Sequence, residues 1–344
     1  MTTLEIYRNI DRDAHDIFRA IAMSGKPDAA GYVGKYGRDH IGGNRSIGLY
    51  LIYGVATEDA AIVDDAFRAI DVYFGEQLNT GAFWPIGPSG YPPGDILASH
   101  SMFLAELTHG LLVMEQAMWN GYHERFEALI PKIAKCAEWI TGRPDLPYYE
   151  QTNESRWTFG IGDDAYTIPG SWVLEDYNRR YANRQFFHAC ATGFTGLLLG
   201  EQPPKAPWRK EGRGWCERGR KMQRTFENGK AAGYFEEAGG YDSSYQAVSL
   251  RLFNRFAQWL PPHINNRYNT RLSLGFRWLL SRINPDGSLN LDGNTRVGPD
   301  GTDVNKKPDI PSLVMSLLFR AQVTGNASLT ETAKRVAGYY GARR

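Results

Sequence analysis

The sequence holds few of the residues that staple a fold or seat an inorganic group. Its three cysteines, Cys136, Cys190 and Cys216, stand far apart with no CxxC pair, which disfavours a disulfide scaffold and a zinc site alike. No run approaches the roughly 18 apolar residues of a membrane span, and Met1 to Asp11 has no apolar core like that of a signal peptide. As written, the chain reads as cytoplasmic; with a signal peptide removed it would be secreted or periplasmic. Charge of one sign is not in excess either. The 39 Lys and Arg against 38 Asp and Glu leave a net charge of +1, and no Lys/Arg run is long enough to track a phosphate backbone, so no nucleic-acid partner is expected. GxSxG, P-loop and HExxH motifs are missing, and no GxGxxG follows a strand-like run. Cofactors are therefore not expected.

What the chain has is apolar periodicity near 3.6, from one end to the other. It predicts helices over 3–23, 44–56, 59–79, 95–120, 122–142, 177–199, 208–229, 242–260, 264–282, 308–324 and 328–341. Short turns at Thr57-Glu58-Asp59, Asn120-Gly121, Pro261-Pro262-His263 and Thr324-Gly325-Asn326 join some of them into antiparallel hairpins. The links between pairs are longer and rich in Gly, Pro and aromatics: 79–94 with Trp84, 143–176 with Trp157 and Trp172, 233–241, and 284–308. Loops of that length inside a compact domain are usually functional. The expected fold is all-α, one domain over 1–344, an (α/α)6-type toroid of helical hairpins with the long loops at one end. A helical solenoid is the rival, but no fixed-period repeat supports it.

Four constellations could carry chemistry. Glu236 to Gln246 ends in Gly239-Gly240-Tyr241-Asp242-Ser243-Ser244-Tyr245 and opens a helix. Either Asp242 or Ser243 simply caps that helix, with Tyr245 packed on the core, or Tyr241, Asp242 and Tyr245 reach the mouth of the ring, where the helix dipole favours a developing anion. Arg180, Arg184 and His188 recur at i, i+4 and i+8 and so share one helical face, which suits an anionic ligand or a solvated, salt-bridged face. His100 opens the helix after the Trp84 loop, as a site residue or a buried hydrogen-bonded one. Asn44 and Arg45 stand at another helix start after paired glycines. Finally, Asn284 to Asp303 places oxygen side chains at alternate positions like a loose calcium loop. It lacks the bidentate Glu of an EF-hand and reads better as Asp/Gly turns, so no metal is expected; Arg296, within it, could reach the site.

Long aromatic loops feeding inner helices, with Gly-Gly-Tyr-Asp-Ser-Ser-Tyr-Gln at a helix start, resemble the α/α-toroid polysaccharide lyases and related glycoside hydrolases. In the lyases a Glu/Gly-rich loop before Ser-x-x-Tyr-His opens a helix that bears active-site groups. Here Ser243 or Ser244 with Tyr245 would match, and Gln246 stands where that pattern has His. The resemblance implies β-elimination on a uronate-containing glycan, by removal of the proton at C5 once the carboxylate is neutralised. A cation or strong donor must then stand beside a base. Arg184 and Arg180 would neutralise, His188 or His100 would be the base, and Tyr245 or Tyr241 the base or acid. Trp84, Trp157, Trp172, Asn44, Arg45 and Arg296 would bind an oligo- or polysaccharide. Two alternatives stay open: a glycoside hydrolase pairing Asp242 with Glu237, Asp163 or Asp164, and a non-catalytic carbohydrate-binding toroid.

Overall fold

The computed structural model describes residues 1–34, 40–79, 81–83, 93–141, 151–152, 156–159, 166–169, 181–201, 207–227, 230–237, 239–295 and 308–341. Among these, eleven α-helices form: α1 (Thr3–Met23), α2 (Ile47–Ala56, after a 3-10 turn Ile41–Ser46), α3 (Ala60–Gly75), α4 (Pro93–Gln116), α5 (Tyr122–Thr141), α6 (Ala182–Leu198), α7 (Pro207–Lys221), α8 (Ser243–Gln258), α9 (Pro262–Ser281), α10 (Ile310–Thr324) and α11 (Ala327–Gly341). Each falls on a helix that the apolar periodicity predicts. The fold is all-α in class, with two small antiparallel additions. β1 (Gln151–Thr152), β2 (Arg156–Phe159) and β3 (Tyr166–Pro169) pair in chain order, and β4 (Phe226–Glu227) pairs with β5 (Lys230–Ala231). Among the described residues no helix is long and apolar enough to cross a membrane.

One expectation is corrected in detail. The helix predicted over 208–229 stops at Lys221. Arg224 N–H donates to the Tyr234 carbonyl at 2.9 Å and Glu236 N–H to the Met222 carbonyl at 3.0 Å, so the chain folds back on itself. β4 then pairs antiparallel with β5, so ladder hydrogen bonds replace the helical ones that the apolar pattern favours.

The contacts divide the chain into two compact units. One comprises Ala22–Arg179 and Cys190–Gly212. Its centre is α2, buried at every position, as expected of a helix that is apolar all round. Asp59 caps α3 by accepting from the N–H groups of Ala61 (3.1 Å) and Ile62 (3.2 Å), and α3 and α4 both pack on α2. An aromatic cluster of Tyr73, Phe74, Phe83 and Phe103 fills the space beside them.

The other unit comprises Met1–Ile21, Arg180–Ala189 and Arg213–Arg344. Here α8 and α10 are the inner helices, with residues 312–321 of α10 all buried, while α9 and α11 pack against them. The starts of α8 and α10 are tied together, because Asp309 N–H donates to Ser244 Oγ at 2.8 Å while the Asp309 carboxylate caps α10 through Ser312 N–H at 3.0 Å. Tyr7 of α1 closes this core against Phe319, with ring centres 5.6 Å apart.

The α2–α4 contact depends on a missing side chain. A Cβ on Gly48 would run into the Glu106 backbone carbonyl, and Gly110 in turn lies against the Gly48 backbone. Gly48→Ala should therefore force the two helices apart and destabilise the protein by about 1–3 kcal/mol, the usual penalty for overpacking. A melting temperature equal to that of the parent protein would show that α2 and α4 do not approach this closely.

Candidate functional site

The candidates that come together do so at the starts of α6 and α8, within one unit. Tyr181 bridges to Glu237 just before α6, and Ala182 N–H donates to the Glu236 carbonyl at 3.2 Å. The Glu237 carboxylate, fully buried, accepts from Asn183 N–H at 3.0 Å. An acid 54 residues away in sequence thus serves one of the free N–H groups of the first turn of α6.

From Glu237 the chain reverses through Gly239, whose φ of 92° favours glycine. Glu237 N–H then donates to the Gly240 carbonyl at 2.9 Å. Two residues on, Asp242 caps α8 by accepting from Tyr245 N–H at 2.9 Å.

A second layer holds this helix start in place. Asn294 Oδ1 accepts from Ser243 N–H and Oγ–H at 3.0 and 3.1 Å. Arg282 Nε donates to Ser243 Oγ at 3.2 Å, and its guanidinium lies over the rings of Tyr241 and Trp278. Tyr241 is thereby fixed, its hydroxyl donating to the Asp292 carbonyl at 3.1 Å. Tyr245 is half-buried on the first turn of α8. Trp278, Arg282 and Asn294 were not singled out from sequence, because their partners lie some 40 to 50 residues away.

Arg184 and His188 sit on α6, both buried, at 3% and 0% exposure. The Arg184 guanidinium lies 4.7 Å from the centre of the Tyr181 ring. His188 packs on Trp215 of α7 at 4.8 Å. Burial, reinforced by the positive charges of Arg184 and Arg218, pushes its pKa down to about 3, so the ring is neutral at physiological pH. A base works best with a pKa near the working pH, which makes His188 a poor acceptor of a substrate proton at neutral pH.

Gln246, at the position where the lyase pattern has histidine, is wholly engaged in structure. Its Oε1 accepts from Phe235 N–H at 2.7 Å, while its Nε2 donates to the carbonyls of Gly233 and Gly275, both at 3.3 Å. One amide therefore joins the 233–235 stretch, α8 and α9.

The remaining described candidates belong to the other unit. His100 accepts at Nε2 from Phe83 N–H at 2.9 Å and lies 4.2 Å from the Trp139 ring, fully buried; it holds the backbone at Phe83. Asn44, buried, accepts from Val33 N–H at 2.7 Å and donates to the His40 carbonyl at 3.1 Å. Arg45 reaches the Gly42 carbonyl and Met102 Sδ at 3.4 and 3.7 Å. Trp84, Asp163, Asp164, Trp172, Arg180 and Arg296 lie outside the described residues, and of Trp157 only the backbone, on β2, is described.

The oxygen-rich loop after α9 spends its side chains on its own turns. Asp286 accepts from Ser288 N–H and Oγ–H at 2.9 and 2.7 Å, and Asn290 Oδ1 from Asp292 N–H at 2.8 Å. Among the described residues no three His, Cys, Asp or Glu side chains are grouped to hold a metal ion. A cleft of about 340 Å³ opens elsewhere in the same unit, between Asp13, Gln322, Asn326 and Lys334, and none of the candidates lines it. No family model matches the chain, and no curated protein matches it.

The histidine makes a prediction about stability. The unfolded chain protonates His188 near 6.5, whereas the native state resists until about 3. Stability should therefore fall as the pH drops through this window and be unaffected by His188 above it. Melting curves from pH 7 to pH 4 should be flatter for His188→Gln than for the parent protein. Parallel curves would mean that the imidazole is not buried uncharged.

Proposed function

We propose that the chain is a polysaccharide lyase that cleaves a uronate-containing glycan by β-elimination, at the shared start of α6 and α8. This reading takes the helical hairpins as members of an α/α toroid. The observation that carries it is the link through Glu237, which brings the α6 start with Arg184 and the α8 start with Tyr241 and Tyr245 into one neighbourhood. Arg184 is the cation to offset the substrate carboxylate, which lowers the barrier to removing the C5 proton. Tyr245, half-buried on the first turn of α8, is the group to move that proton, since the low pKa of buried His188 makes it a weak base. In the reaction the phenolate takes the C5 proton and the C5–H electrons form the C4–C5 double bond. The C4–O bond breaks, and the phenol returns the proton to the leaving oxygen.

The hydrolase alternative is less well supported. It needs one carboxyl free to give a proton and another to act on water or the sugar. Asp242 and Glu237 already accept from the N–H groups that open α8 and α6.

Tyr245→Phe should reduce formation of unsaturated, ultraviolet-absorbing product from polyuronates by about 10²–10⁴-fold, the usual loss for a proton-transfer group, with the melting temperature kept. New reducing ends without unsaturation would assign the protein to hydrolysis instead. Polymer binding without any cleavage would leave a carbohydrate-binding protein.

A further inference from the structure

Asn183 opens α6 beside Arg184, and three hydrogen bonds pin the backbone around it. Ala182 N–H donates to the Glu236 carbonyl at 3.2 Å, Asn183 N–H to the Glu237 carboxylate at 3.0 Å, and Arg184 N–H to the Tyr181 carbonyl at 3.2 Å. The Asn183 side chain is buried, at 1% exposure. Yet its Oδ1 has no hydrogen-bond partner, and its Nδ2 has none either. Other buried amides are engaged. Asn44 and Gln246 use both ends, and Gln223 and Asn254 use one each. An amide left unpaired away from water is costly, and a pinned backbone cannot shift to relieve it.

An amide offers an N–H donor and a carbonyl acceptor side by side. A carboxylate only accepts, so it would satisfy Nδ2 and leave Oδ1 against another oxygen. Two neighbouring hydroxyls satisfy both ends, one accepting from Nδ2–H and the other donating to Oδ1. The proposed elimination fixes where such a pair lies on the substrate. The C4–O bond is the one that breaks, so O4 carries a linkage, while C5 bears the carboxylate and C1 the other linkage. O2 and O3 are the hydroxyls left, and they are neighbours on the ring. Arg184 is one residue on, about 100° round the helix, and so addresses a different edge of the sugar from Asn183.

We infer that Asn183 is a specificity-determining residue, whose amide binds the O2 and O3 hydroxyls of the uronate that loses its C5 proton. The identity of the sugar rests on the lyase reading; the unpaired amide does not. The enzyme then takes polyuronates whose ring hydroxyls are free and rejects those O-acetylated at O2 or O3. Such discrimination is of the strong kind, because a site built to hydrogen-bond hydroxyls is left with unpaired polar groups when they are blocked. Burial adds to it, since a hydrogen bond counts for more where water is excluded.

The test is equilibrium binding of fluorescently labelled polygalacturonate and alginate, both 1,4-linked polyuronates, each with its ring hydroxyls free and each O-acetylated. The parent protein is compared with Asn183→Leu, which keeps the size of the side chain and removes its polarity. Losing a buried amide that has no partner should leave the melting temperature unchanged or raise it, whereas losing a structural hydrogen bond would lower it. The parent should bind at least one free polymer, about tenfold or more tightly than its acetylated form. Asn183→Leu should bind that polymer about tenfold more weakly and no longer distinguish the two forms. Should this variant not fold, Asn183→Ala serves the same comparison. Binding of neither polymer by the parent, equal binding of the two forms, or a preference that survives in the variant would each overturn the inference. Product formation is read separately. Hydroxyl-dependent binding without unsaturated product sinks the lyase reading and leaves the Asn183 contact standing, whereas cleavage with an unchanged KM in the variant does the reverse.

Discussion

The Glu237 carboxylate reaches across 54 residues of sequence to accept the Asn183 N–H. A helix start leaves four N–H groups without partners inside the helix, and a carboxylate there gains both a hydrogen bond and the attraction of the helix dipole. Glu237 is buried, and a buried carboxyl group is costly unless it is hydrogen-bonded. That need makes the contact constraining: moving α6 away from the 233–241 stretch would break the buried hydrogen bond at Asn183 N–H. Four residues after Glu237 the chain meets Tyr241, then Asp242, which performs the same service for α8. Two helix starts are thus fixed by two acids five residues apart.

Everything proposed about chemistry depends on that pair of caps. Arg184 lies one residue after Asn183, and Tyr245 is the residue whose N–H Asp242 accepts. The supporting layer is equally specific. Arg282 and Asn294 hold Ser243 from one direction, and Gln246 holds the incoming strand-like segment from another. A glutamine here, where histidine would be expected of the lyases that the segment resembles, gives up a titratable group and gains a donor and an acceptor for three backbone partners. On the proposed reading, the acid–base work then falls to the neighbouring Tyr245.

The helices were legible because each buries one face, and burial imprints a period of 3.6 on the sequence. The two caps were half legible: Asp242 before a helical run is a local signal, whereas Glu237 acts on a helix more than fifty residues upstream. The histidines were ambiguous for a related reason. His100 and His188 both stood at helical positions beside aromatics, and only Phe83 N–H and Trp215, neither predictable from spacing, fix one as a backbone clamp and the other as a neutral ring. The fold-back of 222–236 was hidden by an apolar pattern that suits helix and hairpin alike.

The central claim is that the starts of α6 and α8 form one mechanical unit through Glu237, and native-state hydrogen exchange tests it most directly. In Glu237→Ala, removal of the cap at Asn183 should raise exchange in the first turn of α6. The account predicts a rise of similar size at Tyr245 and Gln246 on α8, with the cores of both helices still protected. Increased exchange confined to α6, with the first turn of α8 as protected as in the parent protein, would contradict it.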